Sequence, residues 1–150
     1  MIYKIGLSVS GDNFFPESVV NEMVGNFILK SSNRPNDKFE NRDGTYNFGN
    51  ALFWYVKNFA TQNYVARYEK YFVDFLEENH SLFIKKGAED FSFFLEIYFD
   101  GGQCNFEILS KDLLSRIANL KVSISISVYV LSEEYIQNWS NEIDVDWSTD

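Results

Sequence analysis

Cysteine and histidine are almost missing from this chain of 150 residues, which contains only Cys104 and His80. A single cysteine excludes a disulfide within the chain and a zinc site that is built from several cysteines. Because Cys104 falls in a predicted strand, we expect a buried and unreactive thiol. His80 lies between acidic and amide side chains near a predicted helix end, so we interpret it as a solvated histidine and not as a catalytic base.

Long hydrophobic runs are also missing. No stretch of about 18 consecutive apolar residues occurs, so the sequence predicts no membrane-spanning helix and no membrane partner. The N-terminal segment 1–12 has neither the length nor the cleavage site of a signal peptide, and it alternates like a strand. We therefore expect a cytoplasmic protein.

Basic charge is scarce, because 13 Lys and Arg side chains stand against 22 Asp and Glu side chains, for a formal net charge of −9. A nucleic-acid partner is not expected, since phosphate binding needs a basic surface. The acidity is concentrated at the C-terminal end, where residues 133–150 carry six acidic side chains and no basic one. This end of the chain therefore favours a basic partner.

Aromatic side chains are abundant, since the chain holds 15 Phe, 9 Tyr and 3 Trp. They supply enough bulky apolar surface for one core without a disulfide or a metal. We therefore expect residues 1–132 to form a single domain. Residues 133–150 are expected to form an acidic, aromatic tail that docks on this domain.

The hydrophobic periodicity predicts the element order β-α-β-α-β-β-α-β. This order is typical of an α+β fold, ferredoxin-like or a related sandwich, with helices packed on a mainly antiparallel sheet. Two β-α-β units are predicted, at 3–59 and 104–130. The predicted strands are 3–10, 45–59, 91–99, 104–109 and 121–130, and the predicted helices are 16–28, 61–84 and 110–120. Residues 82–84 either extend the second of these helices or form a short helix of their own.

Turn residues mark the boundaries of these elements. Asp100-Gly101-Gly102 is expected to turn strand 91–99 into a hairpin with strand 104–109. Lys85-Lys86-Gly87 is expected to end the second helix, because it places cations and a glycine at the helix C-terminus. Residues 31–44 are polar and carry no periodicity, so they predict a long exposed loop.

The last helix and the last strand have the clearest local patterns. Thr61 is expected to cap the second helix, and Ser110 is expected to cap the last one. The final strand alternates small polar serines with aliphatic residues, which predicts one face in the core and one face outwards. The residues predicted to be buried in the last helix and strand are Leu113, Leu114, Ile117, Ala118, Val122, Ile124, Ile126, Val128 and Val130.

Three segments carry a family resemblance: SGDNFFPESVVNEM at 10–23, FFLEIYFDGG at 93–102 and LSKDLLSRIANLKVSISISVYV at 109–130. They resemble the bacterial domain-of-unknown-function family DUF4279 over the larger part of the chain. The sequence departs from the family in its middle, where Phe27-Ile28-Leu29-Lys30 stands in place of a Leu-Gly-x-x-Pro-like turn. The resemblance implies an α+β fold and a bacterial origin, and it supplies no catalytic motif.

Motifs of known chemistry do not occur in the sequence. It has no H-E-x-x-H, no C-x-x-C and no calcium-loop spacing. The acidic residues of the loop at 31–44 alternate with Arg34, Lys38 and Arg42, which indicates a solvated loop of mixed charge. We therefore expect no catalytic residue, no cofactor and no metal, and a protein that is not an enzyme.

The strongest functional signal lies in the tail 133–150, where aromatic and acidic side chains interleave. Two interpretations are open. Either the tail docks on its own domain and its acids are only solvated, or it forms an acidic surface that binds a basic protein. The predicted partner-binding residues are Glu133, Glu134, Tyr135, Trp139, Glu142, Asp144, Asp146 and Trp147.

The favoured hypothesis is a non-enzymatic protein-binding domain of the immunity type, which inhibits a basic toxin. Its physical reason is that carboxylates occupy a basic cleft much as phosphates do. One alternative is a small-molecule-binding or enzymatic module with an aromatic pocket around Trp54. A further alternative is a homodimeric structural module that pairs through an exposed sheet edge.

Overall fold

Five strands and three helices are formed by the residues that the computed structural model describes, which are 2–25, 27–55, 68–99, 101, 107, 109–132, 134, 135 and 138. The fold is α+β, as predicted from the sequence. In chain order the elements are β1 Ile2–Gly11, α1 Glu17–Val20, β2 Phe27–Asn33, β3 Gly49–Tyr55, α2 Tyr68–Lys85, β4 Asp90–Phe99, α3 Lys111–Ala118 and β5 Val122–Val130.

The strands form one sheet in the order β2-β3-β1-β4-β5. All neighbouring pairs are antiparallel except β4 and β5, which are parallel because α3 carries the chain back between them. Alternate residues of the central strand β1, namely Ile5, Leu7 and Val9, are buried. The three helices contribute to a single core cluster with these residues, so the helices cover one face of the sheet.

Phenylalanine rings fill the space between α2 and the sheet. Phe27 of β2 stacks on Phe75 of α2 with ring centroids 4.1 Å apart, and it meets Phe72 edge-on at 4.9 Å. Such offset and edge-to-face pairs add stabilisation beyond their buried area. The fully buried phenylalanines are Phe14, Phe53, Phe72, Phe75, Phe83 and Phe93.

The helix predicted at 16–28 is wrong after its first turn, since α1 ends at Val20 and β2 begins at Phe27. Buried Asn79 of α2 explains the change. Its Oδ1 accepts a hydrogen bond from the Val24 N–H at 2.8 Å, and its Nδ2 donates to the Val24 carbonyl at 2.8 Å. These bonds satisfy the backbone of Val24 outside a helix, and Phe27 is then placed in the core.

The loop predicted at 31–44 is also shifted, because β2 continues to Asn33 and β3 starts only at Gly49. Between them the chain folds back on itself through backbone hydrogen bonds. Asn36 N–H donates to the Tyr46 carbonyl at 2.7 Å, and Phe39 N–H donates to the Gly44 carbonyl at 3.1 Å. The connection is thus a hairpin-like loop rather than an irregular one.

The predicted hairpin of 91–99 with 104–109 is wrong, because both edges of β4 are occupied. β1 pairs with Asp90–Tyr98 on one side, and β5 pairs with Phe91–Phe99 on the other. The β-α-β unit predicted at 104–130 therefore starts from β4, and the one predicted at 3–59 is replaced by antiparallel pairing of β1 with β3. Cys104 and the Thr61 cap lie outside the described residues.

The start of α3 is confirmed. Ser110 is the N-cap, and its Oγ accepts a hydrogen bond from the Leu113 N–H at 3.3 Å. Leu113 and Ile117 are buried, whereas Leu114 and Ala118 are exposed, which corrects the wider buried stripe that the sequence predicted. A short helix that touches the sheet along one i, i+4 line buries only that line.

The predicted end of α2 is confirmed by a Schellman motif. Gly87 has φ +92°, its N–H donates to the Ile84 carbonyl at 3.0 Å, and the Ala88 N–H donates to the Phe83 carbonyl at 2.9 Å. A Cβ at Gly87 would lie 2.6 Å from the Asn13 carbonyl oxygen. Glycine is therefore required there by conformation and by space.

We predict that Gly87→Ala lowers the free energy of unfolding by about 3 kcal/mol, because it adds a backbone clash to the left-handed strain. Gly101→Ala is the matched control, since Gly101 has φ +106° and nothing within 4 Å of an added Cβ. It should cost only about 1 kcal/mol. Urea unfolding of both variants measures the difference, and equal losses would contradict the contact with Asn13.

An ion-pair cluster joins α3 to α2. Arg116 donates from Nε to Glu77 Oε1 at 2.9 Å and from Nη2 to Asp74 Oδ1 at 2.6 Å. The hydrogen bond from Arg116 lowers the pKa of Glu77 below its usual 4.5. Burial alone raises the pKa of Asp74, but hydrogen bonds from Lys70 and Arg116 outweigh it, and the net pKa is lowered.

A carboxyl group whose pKa is lower in the folded than in the unfolded protein stabilises the fold, and this stabilisation is complete at any pH above its unfolded-state pKa. The stabilisation is lost as the pH falls through its folded-state pKa. We predict that Arg116→Met lowers the free energy of unfolding by about 1 kcal/mol at pH 7, since the cluster is partly exposed. Below the usual pKa values of 3.8 and 4.5 for Asp74 and Glu77, the variant and the parent should converge. Urea titrations across this pH range measure the difference in free energy of unfolding between the parent and the variant. A difference that does not change with pH would contradict the role of Asp74 and Glu77.

Candidate functional site

The edge strand β5 has an apolar stripe that is not covered. The parallel register pairs Ile124 with buried Phe93 and Ile126 with buried Leu95, so these residues share the helix-covered face of the sheet. Their exposed fractions are nevertheless 38% and 57%, and Val128 and Val130 are exposed by 57% and 67%. The prediction that this stripe lies in the core is therefore wrong.

The lengths of α3 and β5 explain why this apolar stripe is exposed. The eight residues of α3 span about 12 Å along the helix axis, whereas the nine residues of β5 span about 30 Å. The helix can therefore cover only one end of the strand. Val122, at the start of β5, packs against the core, and the residues after it extend beyond the part of the sheet that α3 covers.

The outer edge of β5 has no strand paired with it among the described residues. Its sequence, VSISISVYV, contains no charge, no proline and no glycine. Exposed edge strands usually carry such residues, because unpaired N–H and C=O groups recruit other chains. β5 thus presents a row of backbone hydrogen-bonding groups next to an apolar stripe, which is a surface for a partner strand or apolar side chains.

The opposite face of β5 carries Ser123, Ser125 and Ser127, which point away from the helices as the alternation predicted. Ser125 Oγ lies 3.5 Å from Ser92 Oγ of β4. Tyr129 stacks on Tyr98 with ring centroids 4.8 Å apart. This face of β5 is therefore polar along its serines and aromatic near the C-terminal end of the strand.

The predicted tail begins directly after β5. Of its predicted partner-binding residues, Glu134 and Tyr135 are described, and both are exposed. The Tyr135 N–H donates to Ser132 Oγ at 3.3 Å, which places these two residues beside the end of the exposed strand. The predicted partner-binding residues that lie outside the described part of the chain are Glu133, Trp139, Glu142, Asp144, Asp146 and Trp147.

A cavity of about 240 Å³ lies on the open face of the sheet, away from the helices. Its lining residues were not predicted, because only the strand register brings them together. Its nearest signal was the alternation of Lys4, Gly6 and Ser8 in β1. In the register, Trp54 of β3 lies directly opposite Gly6. The alternative of an aromatic pocket around Trp54 stays a prediction, since the side chain of Trp54 lies outside the described part of the structure. The cavity is lined by Lys4, Ile5, Gly6, Ser8, Ser31, Asn50, Leu52, Phe94 and Glu96.

Hydrogen bonds hold the polar side chains around this cavity. Asn50 Nδ2 donates to Ser8 Oγ at 2.7 Å, and the Tyr98 hydroxyl donates to Glu96 Oε2 at 2.8 Å. The Lys4 ammonium lies 5.5 Å from the centre of the Tyr98 ring. Burial lowers the pKa of Lys4, the charge of Glu96 opposes this shift, and the charge of Lys30 adds to it.

No group of three or more His, Cys, Asp or Glu side chains that could hold a metal ion occurs among the described residues. His80 is half-buried, and its ring centroid lies 4.8 Å from that of Phe91. The histidine therefore packs on an aromatic ring of β4, whereas the sequence predicted a fully solvated side chain. None of the described helices is long and apolar enough to cross a membrane.

No protein-family model, curated protein or solved structure matches this chain. The resemblance to DUF4279 accordingly stays a prediction. The two candidate sites rest on the geometry of the chain itself, which places an exposed apolar edge on β5 and a cavity across β1, β3 and β4.

Proposed function

We propose that this protein is a non-enzymatic binding domain that holds a basic protein partner on β5 and on the acidic tail that follows it. The proposal rests on the exposed aliphatic stripe of β5, which lies at a sheet edge that no other described strand covers. Ile126, Val128 and Val130 are each more than half exposed. Aliphatic side chains in such a row supply the apolar centre that stable protein interfaces need.

The expected binding energy comes first from burial of this stripe. Covering one Ile or Val side chain contributes about 1.5 to 3 kcal/mol. A partner strand that pairs with the outer edge of β5 would add backbone hydrogen bonds in the manner of β-augmentation. The nine-residue length of β5 is sufficient for a full strand pair.

Charge supports a basic partner. Residues 133–150 carry six acidic side chains and no basic one, and they therefore supply most of the net charge of −9 of the whole chain. Complementary charge accelerates association and selects against acidic partners. In its finer form the proposal is an immunity-type inhibitor, in which the tail acids occupy the basic cleft of a bacterial toxin and β5 supplies the apolar contact.

The proposal predicts that Ile126→Lys weakens partner binding about tenfold or more, because it places a charge in the apolar centre. Ile84→Lys is the matched control, since Ile84 is an exposed aliphatic residue on α2 with 49% exposure. Both variants and the parent chain are immobilised and challenged with extract at low salt. The captured protein is then purified, and its affinity for each variant is measured by calorimetry.

The tail contribution is tested separately with Glu133, Glu134, Glu142, Asp144 and Asp146 changed to their amides. This variant should bind more weakly at low salt and should lose most of the salt dependence of binding. Unchanged affinity in both the tail variant and Ile126→Lys would refute the proposal. Self-association of the parent chain that Ile126→Lys abolishes, seen by sedimentation, would replace it with the homodimer alternative.

A further inference from the structure

A row of side chains crosses the open face of the sheet and ends at Tyr129 on the edge strand β5. Tyr98 of β4 is the register partner of Tyr129, and the two rings stack at 4.8 Å between centroids with 12° between their planes. This distance is that of neighbouring strands in a sheet, so the rings follow the strand ladder. The Lys4 ammonium of β1 lies 5.5 Å from the centre of the Tyr98 ring. Because β4 lies between β1 and β5, Lys4 and Tyr129 lie on opposite sides of this ring.

The Tyr129 ring has one face that is covered and one that lies at the sheet edge. Tyr98 covers the face that is directed into the sheet, and Tyr129 is nevertheless 43% exposed. No described strand lies beyond β5 on this side. The Tyr98 hydroxyl donates to Glu96 Oε2 at 2.8 Å, which holds the ring that supports Tyr129. The outer face of Tyr129 is therefore a supported, electron-rich surface of the kind that attracts cations.

The backbone of β5 determines which side chain of a partner strand would meet this ring. The Leu131 N–H donates to the Phe99 carbonyl at 2.8 Å, so the backbone groups of Leu131 point towards β4. Because this direction alternates along a strand, Tyr129 also points its N–H and C=O towards β4, whereas Val128 and Val130 point theirs outwards. In an antiparallel pair Tyr129 then occupies a non-hydrogen-bonded position, where opposite side chains lie closest. The partner side chain at this position lies on the open face, against the outer face of the Tyr129 ring.

Charge and shape indicate which side chain fits there. The net charge of −9 and the six acidic side chains of residues 133–150 favour a basic partner. Neighbouring strands lie about 4.8 Å apart, which is within the distance of about 6 Å over which a cation is attracted to a ring face. Among basic side chains, arginine has a planar group that stacks on aromatic rings, and it is more weakly hydrated than lysine.

We propose that Tyr129 is the residue that determines specificity on the β5 surface, and that it binds an arginine side chain of the partner strand. The guanidinium stacks on the outer face of the Tyr129 ring. The residues on either side of this arginine lie on the other face of the sheet, beside Val128 and Val130. This role of Tyr129 rests on the proposed function, because it requires a partner strand that pairs with β5.

The test uses a peptide in which valines alternate with threonines around one central arginine. Its valines match the aliphatic stripe of β5, and its arginine lies on the same face as Tyr129. A second peptide carries citrulline in place of arginine, with nearly the same shape and no charge. Both are titrated into the full chain, and binding is followed by NMR of the amides of residues 122–130. The arginine peptide should bind about fivefold or more tightly than the citrulline peptide.

Variants of the chain separate stacking on the ring from general attraction of charge. Tyr129→Leu removes the ring and should bind the two peptides equally, whereas Tyr129→Phe keeps the ring face and should keep the preference for arginine. Tyr71→Leu is the matched control, because Tyr71 on α2 is 42% exposed, and it should leave the preference unchanged. The preference is a ratio of two affinities of one variant, so a general loss of affinity does not alter it.

Ile126→Lys distinguishes failure of this role from failure of the proposed function. It should prevent binding of both peptides, since it places a charge in the aliphatic stripe. If it does so, but the parent chain shows no preference for arginine or Tyr129→Leu retains the preference, the role of Tyr129 is overturned and the proposed function stands. Peptide binding that Ile126→Lys leaves unchanged would overturn both. Absence of binding of either peptide to the parent chain would overturn the role of Tyr129, while the captured partner protein still tests the proposed function.

Discussion

The packing of phenylalanine rings between α2 and one face of the sheet is the interaction on which the rest of the structure depends. The stack of Phe27 on Phe75, at 4.1 Å between ring centroids, fixes β2 to α2 and so fixes the sheet order on that side. Because the helices gather over this aromatic core, they leave two regions uncovered. One is the far part of β5, and the other is the opposite face of the sheet. Both candidate sites lie in these regions.

Local patterns in the sequence predicted the elements whose signals are local. The alternation of β1 and β4, the Ser110 cap of α3 and the glycine end of α2 were all predicted correctly, because each depends on residues within a few positions of one another. β2 was missed because the spacing of residues 16–28 fits a helix equally well. The structure of this segment depends on Asn79, which is more than fifty residues away in the sequence. Its side chain forms hydrogen bonds with the backbone of Val24, so that this backbone does not continue the helix.

The candidate sites were predictable only in part, for the same reason. Alternation in β5 correctly predicted which side chains share a face, but burial depends on whether a strand lies at the centre or the edge of a sheet. That position is set by the pairing of β4 with β1 and β5, which no local pattern reveals. The cavity depends on the register that brings Gly6 beside Phe94. The acidic tail, by contrast, was visible from composition alone.

The proposed function requires that the outer edge of β5, with which no other strand pairs among the described residues, is open in the isolated protein. Amide hydrogen exchange of residues 122–130, followed by NMR at neutral pH, tests it most directly. In a parallel edge strand, every second N–H points to the neighbouring strand and the others point outwards. We therefore expect alternating slow and fast exchange of the amide hydrogens along β5. Uniform slow exchange would show that the edge is already covered in the free chain, and would contradict the claim.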